Sequence, residues 1–205
     1  MIRALHLLDL LIATPAGPRR VCGEVAAGGS AAAVVPPEVG TALARVLAGL
    51  VAPRSGRIEV GGRDVTGLPP ARRQIGYVPV GGALLPQLTV RENIGYGLRH
   101  RELVHQVVRD WTAEVVDGLE LAATLDLRPH QLSAAQRFRA AVARAAACLP
   151  EVLVVDRPHV ASRGDRLTDL IRRASPAAAP GMAVLVCSTD PRILAELPDR
   201  IEVTA

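Results

Sequence analysis

The polar residues of this chain that could do chemistry together flank one helix-forming stretch. Ser133 to Gln136 form a small polar turn, an Ala- and Arg-rich stretch follows, and Pro150 ends it. The apolar run from Val152 to Val155 then ends on Asp156. A helix followed by a buried strand and an acidic residue is typical of a nucleotide site at the carboxyl end of a strand. The spacing therefore predicts a nucleotide site near Asp156.

This stretch resembles the signature and Walker B motifs of ABC transporter ATP-binding subunits. The family pattern is LSGGQ, a helix that contains QRVALARAL, and four apolar residues before Asp-Glu-Pro. The matching residues here are Leu132-Ser133-Ala134-Ala135-Gln136, Arg139, Ala143-Arg144-Ala145 and Val152 to Pro158. About Gly28 to Val203 can be aligned with the family, so the resemblance covers most of the chain.

The resemblance implies an α/β fold, namely a P-loop NTPase-like ABC nucleotide-binding domain with an antiparallel β subdomain and an inserted helical subdomain. We expect one domain over residues 1–205, with the helical subdomain at about 80–150. The resemblance also implies ATP and Mg²⁺ as cofactors. The partners that it implies are a transmembrane permease subunit and a second ABC ATP-binding subunit, which would make a homodimer or a heterodimer.

The phosphate-binding loop is where the chain departs most from the family. Gly40 stands in place of the Lys that contacts the β- and γ-phosphates, and Thr41 keeps the hydroxyl that binds magnesium. The three loop glycines are replaced by Val34, Pro37 and Val39. Pro36 and Pro37 have no N–H to donate to a phosphate. We expect the affinity for ATP to fall by about a few orders of magnitude if nothing compensates.

Gly40 and Thr41 are the candidate cofactor-binding residues of this loop, and Thr41 and Asp156 are the candidate metal ligands. Two roles stay open for Thr41. It is either an ordinary residue at the start of a helix or a remaining magnesium ligand.

The signature segment supplies four further candidate cofactor-binding residues, Ser133, Ala134, Ala135 and Gln136. In the family this segment lies at a helix N-terminus and faces the γ-phosphate bound by the other subunit. Ala134 and Ala135 replace glycines, which adds two methyl groups but leaves the N–H donors. The segment either serves a partner's ATP or is the capped start of a structural helix.

Three catalytic positions of the family carry other residues, so no catalytic residue is expected intact. Arg157 replaces the Glu that acts on the attacking water, and a guanidinium cannot accept a proton. Thr189 replaces the His that contacts the γ-phosphate, and Val80 replaces the Gln of the Q-loop. One hypothesis is that Arg157 supplies the positive charge that is missing at Gly40.

Periodicity and turn residues predict the elements that position these side chains. A helix is expected after the altered loop, and a two-residue turn is expected at Gly61-Gly62. The predicted strands are Leu7 to Ile12, Arg57 to Val60, Ile75 to Val78, Val152 to Val155 and Ala183 to Cys187, and a short helix is predicted from Pro191 to Leu197.

The segment LLPQLTVRENIGYGL resembles import-type subunits that serve iron, sulfate, molybdate or polyamine permeases. Thr89 and Glu92 have the spacing of a capping box for a helix to about Leu98. A second helix is expected from Arg101 to Leu119, with Trp111 in its apolar stripe, as core or as a partner contact. In the family this subdomain receives the coupling helix of the permease.

Composition limits the remaining classes of function. The net charge is only +4 and aromatics are 2% of the chain, so nucleic-acid binding is not expected. Cys22, Cys148 and Cys187 lie far apart and fit neither a disulfide framework nor a zinc site. No apolar run is long enough to span a membrane. We expect a cytoplasmic protein at the inner face of the cell membrane.

Three hypotheses follow. The first is a degenerate ABC ATP-binding subunit with weak or no hydrolysis at its own site, which couples to a permease for solute import. The second is an active ATPase subunit of an importer. The third is a non-catalytic scaffold or relic. The transported solute is not encoded in this chain, because the permease and the binding protein select it.

Overall fold

A computed structural model describes residues 3–100, 105–158, 166–175 and 181–205, apart from the side chains of 99–100 and 105–109. Contacts divide the chain into two compact units. The first unit is Met1–Pro79, Glu151–Arg157 and Gly181–Ala205, and the second is Val80–Pro150 and Pro158–Pro180. The second unit includes 80–150, the stretch expected as a helical subdomain, and also residues 158–180.

The first unit contains all the described strands and two helices. Its strands are β1 (Arg3–Thr14), β2 (Gly17–Ala26), β3 (Ser30–Ala33), β4 (Ser55–Val60), β5 (Arg63–Asp64), β6 (Ile75–Val78), β7 (Val152–Asp156), β8 (Ala183–Cys187) and β9 (Asp199–Thr204). The helix α1 (Pro37–Leu47) follows β3, and the last helix of the chain, Pro191–Leu194, precedes β9.

These strands form one sheet in the order β5-β4-β1-β2-β9-β3-β8-β7-β6. The neighbours from β9 to β6 are parallel, whereas β5, β4, β1, β2 and β9 pair antiparallel. The α/β fold with an antiparallel β subdomain is therefore confirmed, and the rest of the sheet is parallel. Every residue of β7 and β8 is buried, as continuous apolar strands of a covered parallel sheet should be.

The core of the first unit is aliphatic, as the low aromatic content requires. The side chains of Leu5, Leu10, Leu43 and Leu47 are fully buried, and Ala31 to Ala33 of β3 are buried as well. The helix α1 buries its apolar face in this core, which confirms the helix predicted after the altered loop.

Arg73 fixes the end of α1 from inside the core. Its side chain is almost completely buried and donates to the carbonyls of Val46 at 2.8 Å and Leu47 at 3.1 Å. It also donates to the carbonyls of Leu68 at 2.7 Å and Thr66 at 2.6 Å. A helix end leaves carbonyl groups without intrahelical partners, and here a buried guanidinium supplies the donors.

The second unit is helical. Its helices are α2 (Val90–Tyr96), α3 (His105–Gly118), α4 (Ala134–Ala146) and α5 (Leu167–Arg173), joined in part by 3₁₀ turns at Gly97–His100, Ala122–Thr124 and Pro129–Gln131. The helix Pro191–Leu194, which belongs to the first unit, is numbered α6 because it comes last in the chain. No helix among the described residues has both the length and the apolar composition needed to cross a bilayer.

Buried polar side chains organise this unit. Thr89 and Glu92 form the predicted capping box of α2. Asn93 is fully buried and donates to the carbonyls of Leu85, Leu88 and Thr89, which holds the loop before α2.

Two side chains of α3 and α4 connect segments within this unit. Trp111 is buried and its indole N–H donates to the carbonyl of Ala147 at 2.9 Å, so its assignment to the core is confirmed. Arg144 of α4 donates to the carbonyls of Gly82 and Ala83 at 2.8 and 2.7 Å.

Several predicted boundaries were wrong by a few residues. The strand β1 extends beyond Leu7 to Ile12 at both ends because its two neighbours in the sheet pair with nearly its whole length. The helix α2 ends at Tyr96 and passes into a 3₁₀ turn, and α6 ends at Leu194. The start of the helix predicted from Arg101 lies outside the described residues.

Candidate functional site

The connection between β3 and α1 is short and poor in donors. Only Val34, Val35 and Pro36 separate the two elements, and α1 begins at Pro37. The N–H groups of Val39 and Gly40 both donate to the carbonyl of Pro36 at 3.0 Å. These amides are used inside the first helical turn. The arrangement therefore does not fit a loop whose serial N–H groups surround a phosphate.

Gly40 is buried within α1 rather than lying in a loop. A Cβ at this position would lie 3.0 Å from the Cβ of Cys187 and 3.8 Å from Oδ1 of Asp156. A side chain at Gly40 would therefore be tight against Cys187, which would have to give by a few tenths of an ångström. The backbone has little room for the lysine that a phosphate loop carries here.

Thr41 and Asp156 meet although they are far apart in the sequence. The hydroxyl of Thr41 donates to Oδ2 of Asp156 at 2.7 Å. The hydroxyl of Tyr77, which enters from β6, lies close enough to this carboxyl group for each to affect the pKa of the other. Asp156 is 1% exposed, and its Oδ1 atom has no hydrogen-bond partner among the described residues.

The burial of this cluster changes its acid–base behaviour. Burial raises the pKa of Asp156, although the Thr41 hydroxyl, the Arg157 charge and the Tyr77 hydroxyl act in the opposite direction. Burial and the neighbouring Asp156 raise the pKa of Tyr77 to about 12. Burial also raises the pKa of the Cys187 thiol. Burial therefore disfavours the charged form of each of these three side chains.

Arg157 lies next to the same carboxyl group. Its backbone is in the left-handed region with φ of 47°, and its N–H donates to the carbonyl of Cys187 at 2.9 Å. Its Nε lies 4.0 Å from Oδ1 of Asp156, and its side chain is 45% exposed. The two side chains form an ion pair without a hydrogen bond.

The residue types of Thr41 and Asp156 suit Mg²⁺, but their arrangement does not fit the ion well. The hydroxyl already donates to the carboxylate, and the carboxylate oxygens are not exposed to solvent. A cationic guanidinium also stands beside the oxygen that lacks a hydrogen bond. Bound Mg²⁺ keeps several waters and needs accessible oxygens, which this arrangement does not offer while the Arg157 guanidinium stands beside Oδ1.

The signature segment forms the N-terminus of α4. The Ser133 hydroxyl accepts a hydrogen bond from the N–H of Gln136 at 3.2 Å, and the Ser133 N–H donates to the Gln136 side-chain oxygen at 2.9 Å. Both polar side chains are therefore engaged in a capping box. Ser133 and Ala134 are exposed, and Ala135 is half-buried. The first amides of the helix have no intrahelical partner.

The other two substituted positions lie at exposed points of the chain. Thr189 is the second residue after β8 and is exposed. The preceding Ser188 is buried, and its hydroxyl accepts from the N–H of Asp190 at 3.1 Å. Val80 is 41% exposed at the start of the second unit. The structure thus brings together Gly40, Thr41, Asp156 and Arg157.

Two members of the cluster were missed from the sequence. They are Tyr77, which no motif singled out, and Cys187, which was considered only for a disulfide or a zinc site. The available signal was their position at the carboxyl ends of β6 and β8. The register pairs Asp156 with Cys187, and Tyr77 with Val154, so parallel pairing brings all three to one edge.

The second unit contains an apolar groove of about 460 Å³ between α2 and α3. Ile94, Leu98, Val116 and Leu125 supply most of its apolar lining. Thr112 also lines the groove, and its hydroxyl is buried without a hydrogen-bond partner among the described residues.

Comparison with known proteins gives a consistent set of similarities. The family model described as "ABC transporter" matches residues 40–160. The chain is 43% identical over 113 residues to the molybdate/tungstate import ATP-binding protein WtpC of Archaeoglobus fulgidus, covering 55% of this chain and 46% of that protein. It is 45% identical over 116 residues to the sulfate/thiosulfate import ATP-binding protein CysA of Synechococcus elongatus, covering 57% of this chain and 34% of that protein.

A third relative is the spermidine/putrescine import ATP-binding protein PotA of Thermobifida fusca, 38% identical over 118 residues, covering 58% of this chain and 31% of that protein. The matches thus span about a third to a half of these relatives.

Solved structures share the fold. One, an ATP-binding subunit of an ABC transporter, superimposes with a TM-score of 0.74 at 20% identity over 90% of this chain and 79% of the other. A dimeric ATP-binding cassette bound to ADP and phosphate gives a TM-score of 0.71 at 20% identity, over 93% of this chain and 90% of the other.

Proposed function

The chain belongs to the family of ABC transporter ATP-binding domains, and from this we propose that it is an importer's ATP-binding subunit with a degenerate nucleotide site. In this proposal the site binds ATP weakly and hydrolyses it slowly or not at all. The observation that carries the proposal is the donor-poor, three-residue connection between β3 and α1.

We expect weak ATP binding because the loop has lost hydrogen-bond donors. Pro36 and Pro37 have no N–H, and the amides of Val39 and Gly40 already donate to a helical carbonyl. The lysine charge is also missing at Gly40. Because one charge-assisted hydrogen bond contributes about 1.5–3 kcal/mol, losing several lowers affinity by about a few orders of magnitude.

We expect slow or no ATP hydrolysis because the family's catalytic groups are replaced. Arg157 stands where the family has its glutamate, and a guanidinium cannot take a proton from water. Thr189 and Val80 likewise replace the histidine and glutamine of the family. Without these three groups, the described part of the site lacks the side chains that orient and deprotonate the attacking water in the family.

We assign the docking of a permease to the groove between α2 and α3. Its apolar lining suits one short amphipathic helix, and the matched relatives are named as import proteins. The proposed occupant is a cytoplasmic coupling helix of a membrane permease. This would hold the chain at the inner face of the membrane.

A second ABC subunit completes the proposal. The exposed N-terminus of α4 offers amides with no intrahelical partner, and the Ser133–Gln136 capping box holds them in place. These amides would face the γ-phosphate of ATP that the partner binds. The chain would then contribute to ATP turnover in the partner without hydrolysing ATP itself.

The direct test is equilibrium binding of ATP with magnesium to the purified chain, alone and with a competent ABC subunit. We expect binding only in the presence of the partner, with loss of the partner's hydrolysis when Ser133→Arg blocks the α4 N-terminus. Micromolar binding by the chain alone would refute a degenerate site. Absence of both binding and pairing would leave a scaffold or relic.

The docking surface is tested by copurification with the co-expressed permease of the same transport system. Ala113→Arg places a long charged side chain in the groove from an exposed position, and we expect it to abolish copurification. Ala123→Arg is the matched control, because Ala123 is exposed and is not one of the residues lining the groove. Equal retention of both variants would contradict the assignment.

An active ATPase is the second candidate, and the contact between Thr41 and Asp156 favours it. Both residue types that hold magnesium in the family are present and adjacent, with Oγ1 and Oδ2 at 2.7 Å. The discriminating measurement is magnesium-dependent phosphate release that is lost in Asp156→Asn. Detection of such release would replace the first proposal with this one.

A further inference from the structure

We propose that the guanidinium of Arg157 is a built-in counter-ion for Asp156 and takes the place of a divalent cation at this site. This inference rests on the proposed loss of turnover, since it describes what the former metal site does instead. It concerns the stability of the isolated chain, so it can be tested without nucleotide, permease or partner subunit.

The carboxyl group of Asp156 needs a positive charge. Its side chain is completely buried, and among the described residues the Thr41 hydroxyl is the group that is hydrogen-bonded to it. Hydroxyl groups orient a carboxylate but bring no net charge. A buried carboxylate without a compensating cation is costly, and Oδ1 has no hydrogen-bond partner among the described residues.

Arg157 supplies this charge from the adjacent position. Its Nε is 4.0 Å from the same Oδ1 atom, and its charge acts on the pKa of Asp156 in the direction that favours the carboxylate. The exposed part of the guanidinium keeps contact with water, so the arginine itself is not fully desolvated.

The backbone holds Arg157 in an uncommon conformation. A φ of 47° is unfavourable for a residue with a long side chain, and the N–H donates to the carbonyl of Cys187 at 2.9 Å. Since Cys187 pairs with Asp156 in the sheet, this bond fixes Arg157 relative to the carboxyl group. The position of the guanidinium therefore follows from strand pairing.

A divalent cation and Arg157 would compete for one carboxylate. A cation bound to Asp156 would stand close to a fixed positive charge, and like charges at such distances repel strongly when partly shielded from water. Removing the charge of Arg157 should therefore allow Mg²⁺ to bind at Asp156. The variant Arg157→Gln keeps much of the length and hydrogen-bonding capacity of the side chain while removing its charge.

The test is a double-mutant cycle measured by thermal unfolding of the full chain, with and without magnesium. We expect Arg157→Gln to lower the Tm by about 3–6 °C and Mg²⁺ at millimolar concentration to restore part of that loss. In the Asp156→Asn background, Arg157→Gln should have little effect and Mg²⁺ none. Arg157→Lys should behave as the wild type, and Arg54→Gln is the exposed arginine control.

Three results would overturn the inference. One is an unchanged Tm in Arg157→Gln, another is an equal loss in the Asp156→Asn background, and the third is that Mg²⁺ stabilises the wild type as much as Arg157→Gln. The wild-type magnesium titration decides the last point even if a variant fails to fold. Failure to pair with an ABC subunit or a permease would instead count against the proposed function and would leave this result unchanged.

Discussion

Replacing Thr41 by valine tests whether the cluster around Asp156 stabilises the fold. Valine has nearly the shape of threonine, so the change removes the hydroxyl that donates to Oδ2 at 2.7 Å and leaves almost no cavity. A buried hydrogen bond to a charged group contributes about 1.5–3 kcal/mol. For a chain of this length, 1 kcal/mol corresponds to about 2–4 °C in Tm, so we expect a loss of about 3–12 °C.

The loss should depend on pH, and its sign follows from the carboxyl group. Burial raises the pKa of Asp156, whereas the Thr41 hydrogen bond lowers it. At acidic pH the group is protonated in both states and the bond joins two neutral groups. As pH rises through the pKa of the folded state, the bond stabilises a buried charge, so the difference between wild type and Thr41→Val should increase.

The assay is differential scanning calorimetry of the wild type, Thr41→Val and Thr41→Ser at several pH values. Serine keeps the hydroxyl and loses only a methyl group, so it should retain the pH dependence of the wild type. If Thr41→Val unfolds within about 1 °C of the wild type at neutral pH, the hydroxyl does not stabilise a buried carboxylate and the reasoning is refuted.

Three further predictions follow from the same region. The pKa of Tyr77 is raised to about 12, so stability should fall as pH rises from about 10 to 12, and Tyr77→Phe should remove that fall in alkaline unfolding experiments. Arg73→Met should destabilise the fold by about 3 kcal/mol or more, because helix and loop carbonyls lose their donors; denaturant unfolding that matched the wild type would contradict this. Gly40→Lys should lower the Tm without creating ATP binding, because a Cβ there lies 3.0 Å from that of Cys187; micromolar binding by this variant would show that the loop still surrounds a phosphate.

Local features could be predicted because they depend on neighbouring residues. Both capping boxes, Thr89 with Glu92 and Ser133 with Gln136, lie within one turn of their helices. The strands Ile75–Val78 and Ala183–Cys187 were predicted with the bounds that the structure has. Helix ends were less accurate, since the end of α2 depends on the 3₁₀ turn that follows it.

The sequence by itself determined the family, the alternation of strands and helices, and the residues missing from the phosphate loop, since each follows from residue types at short spacing. Tertiary structure alone decided what the remaining residues do. Thr41 and Asp156 are 115 positions apart, and only the packing of α1 against the sheet joins them. The carboxyl ends of β6, β7 and β8 bring Tyr77, Asp156 and Cys187 to one edge of that sheet, because the strands are parallel and in register.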